Sequence, residues 1–295
     1  GVAFAPVALP TTPVVTVTSG GPAAGPVLQA ETDHQIYQLN AAVTGANAVV
    51  TSLSFTTGGT YVTGDLFAGP SPFKLRYSTD NVLDATDATI GTAAAVASGG
   101  TITFNIAQPV AVSTTGYFFV TVDIAGGATV GNTIRINATP VSNITLADNG
   151  TKLGSPAAGG YQTIYSSVLP TVYYSNGGNL DDLSNWGDQT DGSVSIPAYA
   201  PTGFNMNGIT WKIANGSTTI NAAWAVSGTN SRVDVQSGQT FIIPAAYSFT
   251  ITGTGAATDV EATGVLDMIN NTIPTLGNLD PASTEIFDGA AQSVP

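Results

Sequence analysis

Four carboxylates crowd the stretch GGNLDDLSNWGDQTDG, where Asp181, Asp182, Asp188 and Asp191 fall within eleven positions. A second loop, STDNVLDATDATIG, carries Asp80, Asn81, Asp84 and Asp87. Oxygen-rich loops of this kind suit a hard cation, because calcium takes about six to eight oxygen ligands from carboxylates, amides and carbonyls on flexible loops. Neither loop has the spacing or the closing Glu of the helical calcium loop. Asp and Asn also hydrogen-bond their own backbone in tight turns. Structural calcium and plain turn chemistry are therefore the two expectations for these eight residues.

Catalysis fits less well. A glycosidase needs only two carboxylates, but these sit among Gly, Asn and Ser, where no apolar pocket would raise a pKa. His34 is the only histidine. Its surroundings, ETDHQIYQL, offer Glu31 and Asp33 but no serine in a nucleophile elbow. A single histidine and no cysteine also exclude a histidine- or cysteine-based zinc site. A polysaccharide lyase would need a base near its acids, and Lys212 and Arg232 are the only Lys or Arg beyond residue 171. The expectation is a protein that is not an enzyme. Trp186, in the acidic loop beside Asn185, is expected to be exposed and able to stack on a sugar. Trp211 and Trp224, in WKIANG and AWAVSG, lie in strand-like runs where burial is the usual fate.

The elements that must carry these residues are strands. Helical periodicity is nearly absent, apolar and polar residues alternate, and 34 Gly and 17 Pro punctuate them. In FKLRYST, Phe73, Leu75 and Tyr77 share one face; in GYFFVTVDIAGG, Phe118, Val120, Val122 and Ile124 do. Such half-buried strands pair antiparallel and pack face to face. After Pro170 the pattern changes, and Val235 with Gly238 and Val260 with Gly264 recur about 25 residues apart, the period of stacked coils. The predicted fold class is all-β: an antiparallel β-sandwich over 25–166, then a β-solenoid-like domain over 167–295. Residues 1–24 form an extended N-terminal strand segment. In that segment Val14, Val15 and Val17 have no obvious partner nearby. They are read either as an edge strand of the same sandwich or as a strand donated to a neighbouring copy.

Composition bounds the partners. The formal charge is −13, from 6 Lys and Arg against 19 Asp and Glu, which disfavours nucleic acid and anionic membranes. No apolar run reaches the length of a membrane-spanning helix. Charged residues occupy only 8% of the chain, against about a quarter in an average globular protein. A surface so poor in charge lacks the repulsion that keeps sheet edges apart, which points to other copies of the chain as partners. The first residues have no basic region and are broken by Pro6, Pro10 and Pro13, so they are read as a mature terminus rather than a signal peptide.

The segments VYYSNGGNLDDLSNWGDQTDGS, AWAVSGTNSRVDVQSGQTFIIPAAYSFTITG and NTIPTLGNLDPASTEIFDGAAQSVP resemble repeats in very large secreted surface proteins of the Bacteroidota. FKLRYSTDNVLDATDATIGT with TTGYFFVTVDIAGGATVGNTIRI is similar to a β-sandwich module that accompanies them. The resemblance spans most of residues 50–295. It implies an extracellular, modular β protein of a bacterial surface, such as an adhesin, stalk or filament segment. It supplies no catalytic residues. Together with the low charge, it makes the expected function that of a structural protein whose partners are its own copies; the alternative is a module that binds surface glycans through Trp186.

Overall fold

The computed structural model describes residues 12–216 and 218–289. The chain is all-β. Among the described residues the helices are single 3-10 turns, and no helix is long and apolar enough to cross a membrane. Two compact units divide the chain, Gly1–Ser167 and Val168–Pro295.

The first unit holds β1 (Val14–Gly21), β2 (Gly25–Leu28), β3 (His34–Thr44), β4 (Ala48–Gly59), β5 (Phe73–Ser78), β6 (Ala88–Ala93), β7 (Thr101–Val110), β8 (Thr115–Val122), β9 (Thr133–Ile136), β10 (Ile144–Leu146), β11 (Thr151–Gly154) and β12 (Gln162–Tyr165). One sheet runs β11-β1-β3-β8-β5-β6; the other runs β10-β4-β9-β12-β2, with β7 beside β4. Alternation decides which side chains go inward. Val15 and Val17 of β1 are buried while Thr16 and Thr18 are exposed, and Ile102 and Phe104 of β7 are buried between exposed Thr101, Thr103 and Asn105. Both sheets feed one core, with Leu39, Leu75, Phe118 and Val120 from the first meeting Leu53, Phe55, Phe104 and Ile134 from the second. Each such side chain contributes about 1.5–3 kcal/mol of burial.

This arrangement corrects the reading of residues 1–24 as a separate segment with a donor strand. β1 lies between two strands of its own chain. It is antiparallel to β3, with Val15 opposite Val43, and parallel to β11, with Val14 opposite Thr151. Val15 and Val17 are completely buried in the same core, so they are not available to a neighbour. Local pattern does not show this partner, because β11 lies 137 residues further along the chain, Val14 standing opposite Thr151. A second parallel ladder, β12 with β2, likewise departs from a purely antiparallel unit. Residues 1–11 lie outside the described residues.

The second unit holds β13 (Val172–Ser175), β14 (Trp186–Gly187), β15 (Thr210–Ile213), β16 (Trp224–Val226), β17 (Arg232–Val235), β18 (Thr240–Ile243), β19 (Phe249–Ile251), β20 (Ala257–Val260), β21 (Val265–Met268), β22 (Leu276–Leu279) and β23 (Thr284–Phe287). Three sheets form, ordered β14-β13-β15-β17-β20-β22, β16-β19 and β18-β21-β23. Every ladder is parallel except that of β14 with β13. Arg232 stands opposite Ala257, Trp224 opposite Phe249 and Thr240 opposite Val265, each 25 positions on. One pass from β17 to β20 thus returns the chain beside itself, and at several positions aromatic side chains stack. Tyr173 and Trp211 are ladder partners with stacked rings 5.3 Å apart, and Trp224 lies 4.8 Å from Phe249.

The 25-residue spacing has a physical cause. Val235 and Val260 are ladder partners. The turn after them needs a left-handed residue, Gly238 at φ 73° in one pass and Thr263 at φ 62° in the next. Gly264, expected from the sequence to match Gly238, sits one position beyond that turn.

Candidate functional site

The acidic loops fold around their own backbone. Asp80 accepts from the Val82 N–H at 3.0 Å, and Asp84 accepts from the N–H and hydroxyl of Thr86 at 2.7 and 2.6 Å. Asp87 accepts from the Asp84 N–H, while Arg76 donates to the carbonyls of Asp84 and Asp87. Asn81 takes its bond from Gln38. In the other loop, Asp182 caps Ser184, Asp191 caps Ser193, Asp188 holds Ser195, and Asp181 accepts from the Asn221 N–H at 2.8 Å. The hydroxyls of Thr86, Ser184 and Ser193 hold the carboxyls of Asp84, Asp182 and Asp191 below the ordinary range. Among the described residues no three Asp, Glu or His side chains converge into a cation-sized group. Neither set of four expected calcium ligands is therefore brought together.

Trp186 is the clearest correction. It is 1% exposed, donates from Nε1 to the Leu180 carbonyl at 3.0 Å, and packs edge-on against Trp211 at 5.3 Å and beside Trp224 at 5.8 Å. No ring face remains for a sugar. The polar letters around it misled, because they belong to the rim of a cap. Trp186 and Gly187 form the short antiparallel strand that closes one end of the parallel sheet. His34 is also engaged, with Nδ1 2.7 Å from Glu31 and Nε2 3.3 Å from Gln162.

The residues that the structure does gather are ones whose grouping the sequence hid. Lys212 of β15, Asp234 of β17 and Asp259 of β20 occupy one register across three adjacent strands, so their side chains share a face roughly 4.8 Å apart. Lys212 Nζ lies 2.9 Å from Asp234 and 3.2 Å from Glu261, and Arg232 lies 3.2 Å from Asp259. Asp259 also accepts from the Asn278 N–H at 2.6 Å. Burial pushes the Asp234 carboxyl above its usual value against the pull of Lys212. Burial also opposes ionisation of Glu261, but the Ser237 N–H and Lys212 outweigh it and hold that carboxyl low. Lys212 itself is raised, its two carboxylate partners overcoming desolvation. Asp234, Asp259 and Glu261 border a hollow of about 360 Å³ that Ser237, Asn278 and Asp280 also line.

The two bases that a lyase reading requires do therefore meet acids, though not Asp188 or Asp191. Chemically, however, the ladder is closed on itself. Each cation lies against a carboxylate, and two like charges on neighbouring strands, Asp234 and Asp259, are separated in effect by their own partners. The offsets of 22 and 25 residues were the sequence signal, readable only once the coil period was known.

No family model and no curated protein matches the chain. Among solved structures, the crystal structure of the CaDoc0917–CaCohA2 complex at pH 5.5 aligns with 52% of this chain and 100% of that one, at 11% identity and a TM-score of 0.26. A likeness of that size carries no argument about function.

Proposed function

We propose that the chain is a structural part of an extracellular bacterial surface protein, a β-sandwich joined to a β-solenoid, whose contacts with other chains are made by sheet edges rather than by a catalytic or cation-dependent site. The observation that carries this reading is the asymmetry of the coil stack. At one end β14 closes the long sheet with an antiparallel strand. At the other, β22 and β23 are the last strands of their sheets among the described residues. Leu276, Leu279 and Phe287 there are only half-buried against the core, and Ile286 is 38% exposed. Strand edges that carry no partner among the described residues can add further strands. The low charge of the surface and its Thr, Ser and Asn content favour close neighbours in the same way.

The asymmetry also selects a geometry. A strand of a second copy laid beside β22 or β23 would extend that sheet, and where both copies use the same edge the contact is two-fold and closes on itself. Sedimentation of the purified protein over a range of concentrations tests this, with electron micrographs of the same samples. A reversible dimer that Ile286→Lys abolishes, with the fold intact, is expected. A monomer at every concentration, or a dimer indifferent to the lysine, would sink the proposal.

A further inference from the structure

The first unit contains a cleft of about 720 Å³ where β4 and β7 of one sheet face β5 and β8 of the other. From its twelve lining residues we infer that it binds an uncharged saccharide, a function independent of the coil-end association. Not one of the twelve is ionised at neutral pH. A charged ligand would have to shed its water there with no counter-charge to receive it. What the lining does offer is an aromatic ring, amides, hydroxyls and an apolar floor, the mixture that suits a sugar, whose C–H face is apolar and whose rim is hydroxyl.

The geometry gives these groups definite parts. Tyr77 lies on the core-facing side of β5, with its ring edge-on to Phe118 at 5.2 Å and its hydroxyl near the Gln108 amide. Burial pushes that hydroxyl's pKa up, partly offset by Gln108, so it stays a neutral donor. Gln108 of β7 donates to the Pro109 carbonyl at 2.9 Å, which fixes the amide beside the ring. Gly116 of β8 lets the Tyr77 ring pack close against the strand, since a Cβ there would come within 2.9 Å of the ring and 3.0 Å of Val110. Exposed Thr79 stands among the lining residues, and Asn47 receives the Val112 N–H on its carbonyl oxygen at 2.9 Å, which leaves its NH₂ free to donate. A volume of this size falls within the roughly 300–1,000 Å³ of small-molecule sites.

Saturation-transfer NMR on the full chain with maltotriose, cellotriose and chitotriose as neutral probes, and trigalacturonate as the charged one, tests the assignment. At least one neutral probe is expected to bind with a Kd of about 0.1–5 mM, while trigalacturonate binds at least tenfold more weakly. Thr79→Trp, which fills the cleft from an exposed position, should abolish binding, and Gln108→Ala should weaken it about tenfold. Both variants should keep the wild-type melting curve, which separates loss of the site from loss of the fold. Three results overturn the inference: no neutral probe bound at about 10 mM, equal binding of trigalacturonate, or full binding by a folded Thr79→Trp variant.

Discussion

Replacing Lys212 with Met keeps most of the side chain's volume and removes the one cation that serves both Asp234 and Glu261. Exposed ion pairs contribute about 0–1 kcal/mol, whereas stripping one partner from a buried pair costs about 3–5 kcal/mol. Lys212 retains 22% of its side-chain exposure and Asp234 12%, so the pair lies between these limits and nearer the second. A loss of about 2–3 kcal/mol at neutral pH follows. Urea denaturation read by tryptophan fluorescence isolates the effect, because Trp186, Trp211 and Trp224, the protein's three tryptophans, all lie in the second unit. With a slope of about 1–3 kcal/mol per molar, the midpoint should fall by roughly 1–2 M. The pH dependence carries a sign. The folded-state value of Asp234 is raised, so folding takes up a proton and stability from this group declines as pH rises from the ordinary carboxylate range through the raised value. Without Lys212 that value rises further, and the deficit of the variant is greatest at neutral pH. It narrows towards about pH 4, where the carboxyl is protonated and needs no partner. Glu261 acts in the same sense. Its lowered value gives stability above the ordinary range that is lost as pH falls, so wild type and variant converge from both sides. A loss under about 0.5 kcal/mol at pH 7, or a deficit that widens on acidification, would refute the reasoning.

Three further outcomes are expected from the same fluorescence assay or from calorimetry. Trp186→Ala should destabilise the second unit by about 3–5 kcal/mol, as loss of a buried aromatic does; a surface-like change under about 1 kcal/mol would contradict its place in the cap. Gly238→Val should cost about 1–2 kcal/mol through the backbone alone, since φ is 73° and the space beside the residue is open. Asp267 is raised by burial and by the nearby Asp288, and its Oδ1 is buried with no hydrogen-bond partner among the described residues. Its contribution therefore falls as pH rises through the raised value, and Asp267→Asn should stabilise the protein by up to about 1 kcal/mol at neutral pH and by nothing in acid.

The strands were legible because they are amphipathic at period two: the faces of Phe73 and Leu75, and of Phe118, Val120 and Val122, could be read directly and are the buried ones. The repeat between Val235 and Val260 was legible because stacking forces like residues into register. What could not be read was pairing at long range. β1 looked unpartnered because β11 is remote in sequence, and Lys212, Asp234 and Asp259 looked like isolated charges because their proximity exists only across coils. Trp186 shows the opposite failure. Local polarity predicted exposure, but a loop that folds back as a cap buries the one large apolar residue it carries. The acidic loops are read as either calcium ligands or turns, and Asp80, Asp84, Asp87, Asp182 and Asp191 make turn bonds two or three residues away, while Asp188 and Asp181 reach Ser195 and Asn221.

The coil stack makes length a countable quantity. Each pass from β17 to β20, or from β18 to β21, uses 25 residues and moves the chain one strand spacing, about 4.8 Å. Interior passes touch only their neighbours, while β14 seals the start whatever follows it. An insertion of one whole pass should thus lengthen the protein by a single rung and preserve its aromatic and charged rows. Other passes keep their rows at other lengths, 22 residues from β15 to β17 and 19 from β21 to β23, with the difference taken up in the turns. Strand register rather than turn length is therefore what an inserted pass must preserve.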